Sequence, residues 1–151
     1  MATMTLENDV QTLNVAKELR IKAPLATVFD TILDQMGPGS EMPDGNPFPM
    51  KLEAWPGGRW FRDLGGDSGH LWGHVQVIKP PTLLEICGPL FMSFPATSHL
   101  QYRLAAEGSG TKLTFLHRAM GLIPVEIREG VSQGWDAKLQ MIVRVAEGKL
   151  R

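Results

Sequence analysis

Cysteine is nearly absent from this chain of 151 residues. Cys87 stands alone, so no intrachain disulfide can form, and a reducing compartment is the expected home. An excess of either charge is also missing. Fifteen basic residues face 16 acidic ones for a net charge of −1, which weighs against a nucleic-acid or polyanion partner. No apolar run approaches the ~20 residues that span a bilayer. The opening MATMTLENDVQTL has neither the basic start nor the apolar stretch of a secretory signal. A cytoplasmic protein without membrane insertion is therefore expected. Repeats, low-complexity tracts and linkers are missing too, so residues 1–151 read as a single domain with a frayed segment over 1–10.

Signatures of chemistry are equally scarce. There is no G-x-S-x-G elbow and no G-x-x-x-x-G-K-[ST] loop. Gly57-Gly58 and Gly65-Gly66 precede strands rather than helix N-termini, which makes them turns and not phosphate cradles. His70 and His74 are four residues apart. On a strand that separates them by about 13 Å, against the ~4 Å between two ligands of one zinc. Neither a metal nor a cofactor is expected.

What is present is enough for a core. Hydrophobic residues make up 43% of a 16.7 kDa chain, and at this size about two thirds of the unfolded surface is buried on folding. In LNVAKELRIKAP, Leu13, Val15, Leu19 and Ile21 alternate with polar residues, the mark of a half-buried strand. Lys17 breaks the inward parity and belongs near a sheet edge. Pro24 then opens a helix from its first position, with Leu25, Val28, Phe29, Ile32, Leu33 and Met36 on one face and an end at Gly37. The link GPGSEMPDGNPFP carries four prolines and three glycines, too many for a long regular element.

Six strand-like segments follow: MKLEAW, RWFRDL, HLWGHVQVIK, TLLEICG, SHLQYRLAAE and TKLTFLHRAM. Short turn-forming separators favour an antiparallel meander. Ser98, Leu100, Tyr102 and Leu104 share one parity, as do Leu113, Phe115 and His117. Parity leaves open whether Trp60, Arg62 and Leu64 or Phe61 and Asp63 face inward. From Pro124 to about Glu147, the stripe Ile127, Val131, Trp135, Leu139, Ile142 and Ala146 predicts a helix about 35 Å long, enough to cross the sheet. The expected fold is α+β: a curved antiparallel sheet of six or seven strands wrapped around a long C-terminal helix, with a short helix after the first strand.

Several residues stand out within that frame. Gly130 and Gly134, one turn apart on the long helix, each cost about 1 kcal/mol against alanine. They leave room either for a ligand or for a bulky neighbour. Trp55, Trp60, Phe61 and Trp72 fall on adjacent hairpins, and Trp135 lies mid-helix. Tryptophan suits a pocket wall with one polar end, although ordinary packing is the alternative. Leu90, Phe91, Met92 and Phe94 in GPLFMSFPAT form a lid, a homodimer contact or a loop closing the core. His117 is the strongest acid/base candidate, against the reading of a hydrogen-bonded core histidine.

IKAPLATVFDTILD, WPGGRWFRDLGG, GHLWGHVQVIKPPTLLEICGPL, GTKLTFLHRAMG and GVSQGWDAKLQMI, in that order and spacing, resemble the START-like superfamily. That superfamily is also called SRPBCC, birch-pollen-allergen-like or helix-grip. Within it they resemble the bacterial relatives of the activator of the heat-shock-protein-90 ATPase. The resemblance spans residues 13 to about 147. It implies a cavity between sheet and helix that takes apolar small molecules such as lipids, polyketides or aromatics. It implies no single reaction, because members include binders, cyclases and hydrolases. The eukaryotic activator carries a further partner-binding domain for which this chain has no space, which speaks against chaperone activation.

The expected function is binding of an apolar small molecule. A cofactor-free cyclase or hydrolase is the alternative, and a protein-interaction module comes third. The residues expected at the site are Trp55, Trp60, Trp72, Phe91, Phe94, Tyr102, Phe115, His117, Trp135 and Leu139, with His117, Tyr102 and Arg62 orienting the ligand.

Overall fold

The computed structural model describes residues 8–149, so residues 1–7 of the frayed segment expected over 1–10 lie outside the described residues. The alternating segment forms β1 (Gln11–Ile21), with Leu13, Val15 and Ile21 buried. Helix α1 (Leu25–Gln35) begins one residue later than expected. Pro24 is its N-cap, with an extended ψ of 156°, and its carbonyl accepts from Val28 N–H at 3.0 Å. The proline ring fixes φ and leaves ψ free, so it suits the cap as well as the first turn. The helix also stops earlier, at Gln35 with Met36 as C-cap, and Gly37 lies beyond it. The link after it is irregular, with one isolated bridge between Glu41 and Pro47.

Six strands and a helix follow: β2 (Lys51–Leu52), β3 (Arg59–Gly65), β4 (Ser68–Lys79), β5 (Leu83–Gly88), β6 (Ala96–Glu107), β7 (Gly110–Gly121) and α2 (Val125–Gly148). They form one seven-stranded sheet in the order β1-β7-β6-β5-β4-β3-β2, antiparallel throughout. The molecule is thus the α+β helix-grip fold expected from the sequence. The segment MKLEAW pairs over only two residues. The Glu53 carboxylate takes both the Arg59 backbone N–H at 2.9 Å and its side chain at 2.7 Å. Gly58 N–H then closes a turn onto the Trp55 carbonyl at 2.8 Å. The chain leaves the sheet there and carries Trp55 outward.

Register shifts interrupt the β3–β4 and β4–β5 pairings, and such bulges sharpen the local twist that bends a sheet. At Gly73 and Gly88 the two backbones meet. A Cβ on Gly73 would sit 2.6 Å from the Cys87 carbonyl oxygen, and one on Gly88 would sit 2.5 Å from Gly73 Cα. Only glycine fits at that crossing.

Helix α2 lies across the concave face. Val131, Trp135, Leu139, Ile142 and Ala146 are buried against the sheet and α1. Lys17 explains its odd parity here. It lies on the edge strand β1, points with the core residues, and donates to Ser132 Oγ on α2 at 2.8 Å while pairing with Asp136 at 3.0 Å.

The centre of the helix is pinned by one buried network. Trp135 Nε1 donates to His117 Nδ1 at 2.9 Å, and His117 Nε2 lies 3.0 Å from Ser98 Oγ. An indole N–H can only donate, so Nδ1 is the bare acceptor and Nε2 carries the proton toward Ser98. His117 has no exposed surface, and this burial pushes its pKa from 6.5 down to about 4. Protonation would also set two N–H groups against each other at Trp135.

Since the folded pKa lies below the unfolded one, the unfolded chain takes the proton first. Stability is complete above about pH 7 and is lost as pH falls from 6.5 to 4, by on the order of 3 kcal/mol. Thermal melting as a function of pH should show this slope in the wild type. It should be nearly flat between pH 6.5 and 5 in His117→Gln, and an equal slope in both proteins would contradict this account.

Candidate functional site

The apolar faces of the sheet and α2 do not close on each other completely. Between them lies a cavity of about 490 Å³, floored by Tyr102, walled by Trp60, Trp72, Phe91 and Trp135, and continued by Phe48 from the link after α1. The rings make successive contacts. Trp72 stands edge-on to Trp60 at 5.1 Å, to Phe91 at 5.8 Å, and tilted to Phe48 at 6.1 Å. Beyond Phe91 the series runs through His117 at 6.3 Å to Trp135 at 5.7 Å from His117. Edge-to-face contacts of this kind hold the rings in place. Trp60 Nε1 is satisfied by the Met36 carbonyl at 2.7 Å, so both wall tryptophans with assigned N–H bonds, Trp60 and Trp135, direct them into protein.

Gly130 and Gly134 form part of the α2 side of the cavity. A Cβ built at either position meets nothing within 4 Å. No bulky neighbour fills the space they leave, and both are exposed, so they lie at the open mouth of the cavity. The parity of β3 is also resolved, with Trp60 inward and Leu64 exposed at its far end.

Of the ten residues expected at the site, Trp60, Trp72, Phe91, Tyr102 and Trp135 line the cavity. Trp55 does not. It is 58% exposed on the β2–β3 turn, for the reason given by the Glu53–Arg59 contact. Phe115, His117 and Leu139 are core residues behind the wall, with Phe115 packed on Trp135 at 4.6 Å and on Tyr102 at 5.1 Å. Phe94 is half-buried against the core and is not part of the cavity wall. The Arg62 guanidinium stacks 3.6 Å from the Phe48 ring centre, one layer outside the cavity. The 88–97 loop divides its own roles. Leu90 and Met92 are buried in the core, while Phe91 between them is 38% exposed over the cavity.

The sequence reading passed over a polar end of the cavity, formed by Gln35, Ser40, Glu41 and Lys138. Helical spacing contained the signal, since Lys138 lies four residues after Gly134 and eight after Gly130. Lys138 Nζ donates to Ser40 Oγ at 3.1 Å. Burial lowers the pKa of its ammonium, opposed by the carboxylates of Glu41 and Asp34. The Tyr102 phenol is pushed well above its ordinary value by burial and stays neutral. Among the described residues no group of three or more His, Cys, Asp or Glu could hold a metal. No helix among them is long and apolar enough to cross a membrane.

Comparison with known proteins supports this architecture. An uncharacterized protein from Rhizobium leguminosarum superposes with a TM-score of 0.71 at 20% identity, covering 92% of this chain and 97% of its own. CalU16 from Micromonospora echinospora gives 0.62 at 20% identity, over 93% and 86% of the two chains. The di-domain ARO/CYC protein StfQ of the steffimycin biosynthetic pathway gives 0.65 at 11% identity, over 92% of this chain and 52% of its own. At such identities the likeness is one of fold. No curated protein gives a significant match. The family model described as Activator of Hsp90 ATPase homolog 1-like protein matches residues 22–147. The chain belongs to that family, and through it to the START-like, helix-grip superfamily.

Proposed function

We propose that this protein binds an apolar, ring-bearing small molecule in the cavity between its sheet and α2. The observation that carries the reading is the pair of helical glycines facing open space. Two residues that each cost about 1 kcal/mol against alanine, both exposed at its mouth, keep the helix side of a cavity of about 490 Å³ open. Its walls are aromatic, and burial of ligand surface at ~25 cal/mol per Å² supplies the driving force. StfQ has the same fold, which is consistent with a ring-shaped guest. The alternative of acid/base catalysis by His117 finds no support in the geometry. Both ring nitrogens are engaged and the ring sits behind Trp135.

The neutral fluorescent probe N-phenyl-1-naphthylamine tests the reading. Its roughly 17 heavy atoms at about 0.3 kcal/mol each correspond to a Kd of about 0.2 mM. Gly134→Leu, which fills the cavity from the helix side, should weaken binding at least about tenfold without lowering the melting temperature. Gly130→Ala should raise stability by up to about 1 kcal/mol in urea denaturation. Unchanged probe affinity in Gly134→Leu would remove the cavity from consideration as the binding site.

The 88–97 loop makes a separate prediction. Because Phe91 is partly exposed while Leu90 and Met92 anchor the loop, Phe91→Ala should weaken probe binding several-fold and shift the melting temperature by no more than about 2 °C. A large fall in melting temperature would instead make Phe91 a packing residue.

A further inference from the structure

An apolar wall fixes how strongly a ligand is held, but its polar end fixes which way round it lies. In this cavity the polar end contains one unanswered group. Gln35 is 3% exposed, forms part of the cavity wall, and its Oε1 is buried without a hydrogen-bond partner. A buried amide oxygen without a donor is rare in native proteins and calls for an explanation. Gln35 also occupies a core position on α1, beside the buried Ile32 and Met36, where an apolar residue would pack at no such cost.

Across the same end, Lys138 comes from α2 and is held toward the cavity by Ser40. It supplies what Gln35 lacks, since an ammonium donates and cannot accept. The surroundings set the charge of the missing group. Glu41 and Glu126 stand at the cavity, and Glu41 and Asp34 already act on the Lys138 charge. A carboxylate head would add a further negative charge to this group and has no proton to give Gln35 Oε1. A hydroxyl has one proton to donate and lone pairs to accept.

We infer that the ligand carries a hydroxyl group on its apolar ring system, and that this hydroxyl donates to Gln35 Oε1 and accepts from Lys138 Nζ. The ligand class is therefore a phenol or ring alcohol, bound hydroxyl-first toward the C-terminal end of α1 with its rings against Trp72 and Trp135. Oε1 itself has almost no accessible surface, so the amide turns about its last torsion to present this oxygen to the incoming group. The inference rests on the binding role proposed above.

Isothermal titration with three naphthalenes separates the two claims. 2-Methylnaphthalene reports the apolar cavity alone, 2-naphthol adds the hydroxyl, and 2-naphthoate replaces it with an anion. The expected order in the wild type is 2-naphthol at least about tenfold tighter than 2-methylnaphthalene, with 2-naphthoate weaker than 2-naphthol. In Gln35→Met and in Lys138→Met the ratio of 2-naphthol to 2-methylnaphthalene affinity should fall toward one. Gln35→Met should melt no lower than the wild type, because it removes an unpaired polar atom, so loss of the ratio is not a folding defect. Equal affinity for 2-naphthol and 2-methylnaphthalene in the wild type overturns the hydroxyl assignment and leaves the cavity standing. Tighter 2-naphthoate overturns it in favour of an anionic head. Absence of binding by all three overturns the binding role itself.

Discussion

The hydrogen bond from the Trp135 indole to His117 sets the distance at which α2 rides above the sheet. It joins the middle of the helix to β7, and through Ser98 to β6, at a depth where no water competes. The large ring of Trp135 acts as a strut as well as a tether, because it packs on Phe115 and cannot be compressed. On the Trp135 face the helix is locked to the sheet. On the neighbouring face, where Gly130 and Gly134 lie, it has nothing to reach across with. A hollow beside a fixed strut is the structural result.

Electrostatics reinforces that arrangement from the flanks. Lys17 ties β1 to α2 through Ser132 and Asp136, and Lys138 ties α2 to Ser40 beyond α1. Exposed ion pairs such as Lys51–Asp63 contribute little to stability. The partly buried lysines join α2 to β1 and to the link after α1.

The cavity is not a packing defect distributed at random. Its apolar part is bounded by rings that hold one another edge-on, and its polar part gathers Gln35, Ser40, Glu41 and Lys138 from α1, the link and α2. A chain selected for stability alone would carry alanine at the helical glycines and an apolar residue at Gln35. It carries neither, and both local costs fall at residues that line the cavity.

Much of this was legible from the residues, and the boundary follows a physical rule. Period-two alternation in β1, β6 and β7 and the helical stripe from Ile127 to Ala146 determined which side chains are buried, because side-chain direction in a regular element is a local property. The same locality marked Gly130 and Gly134 as a pair on one face. What sequence could not determine is whatever depends on atoms brought together from distant segments. Trp55 read as a wall residue until the Glu53–Arg59 contact turned the chain out of the sheet. His117 read as inward, but only its meeting with Trp135 and Ser98 decided that it is a bonded core residue rather than a free base. Gln35, Phe48 and Lys138 come to one cavity from three separate segments. Their partnership is a matter of tertiary distance, which periodicity along a single element does not encode.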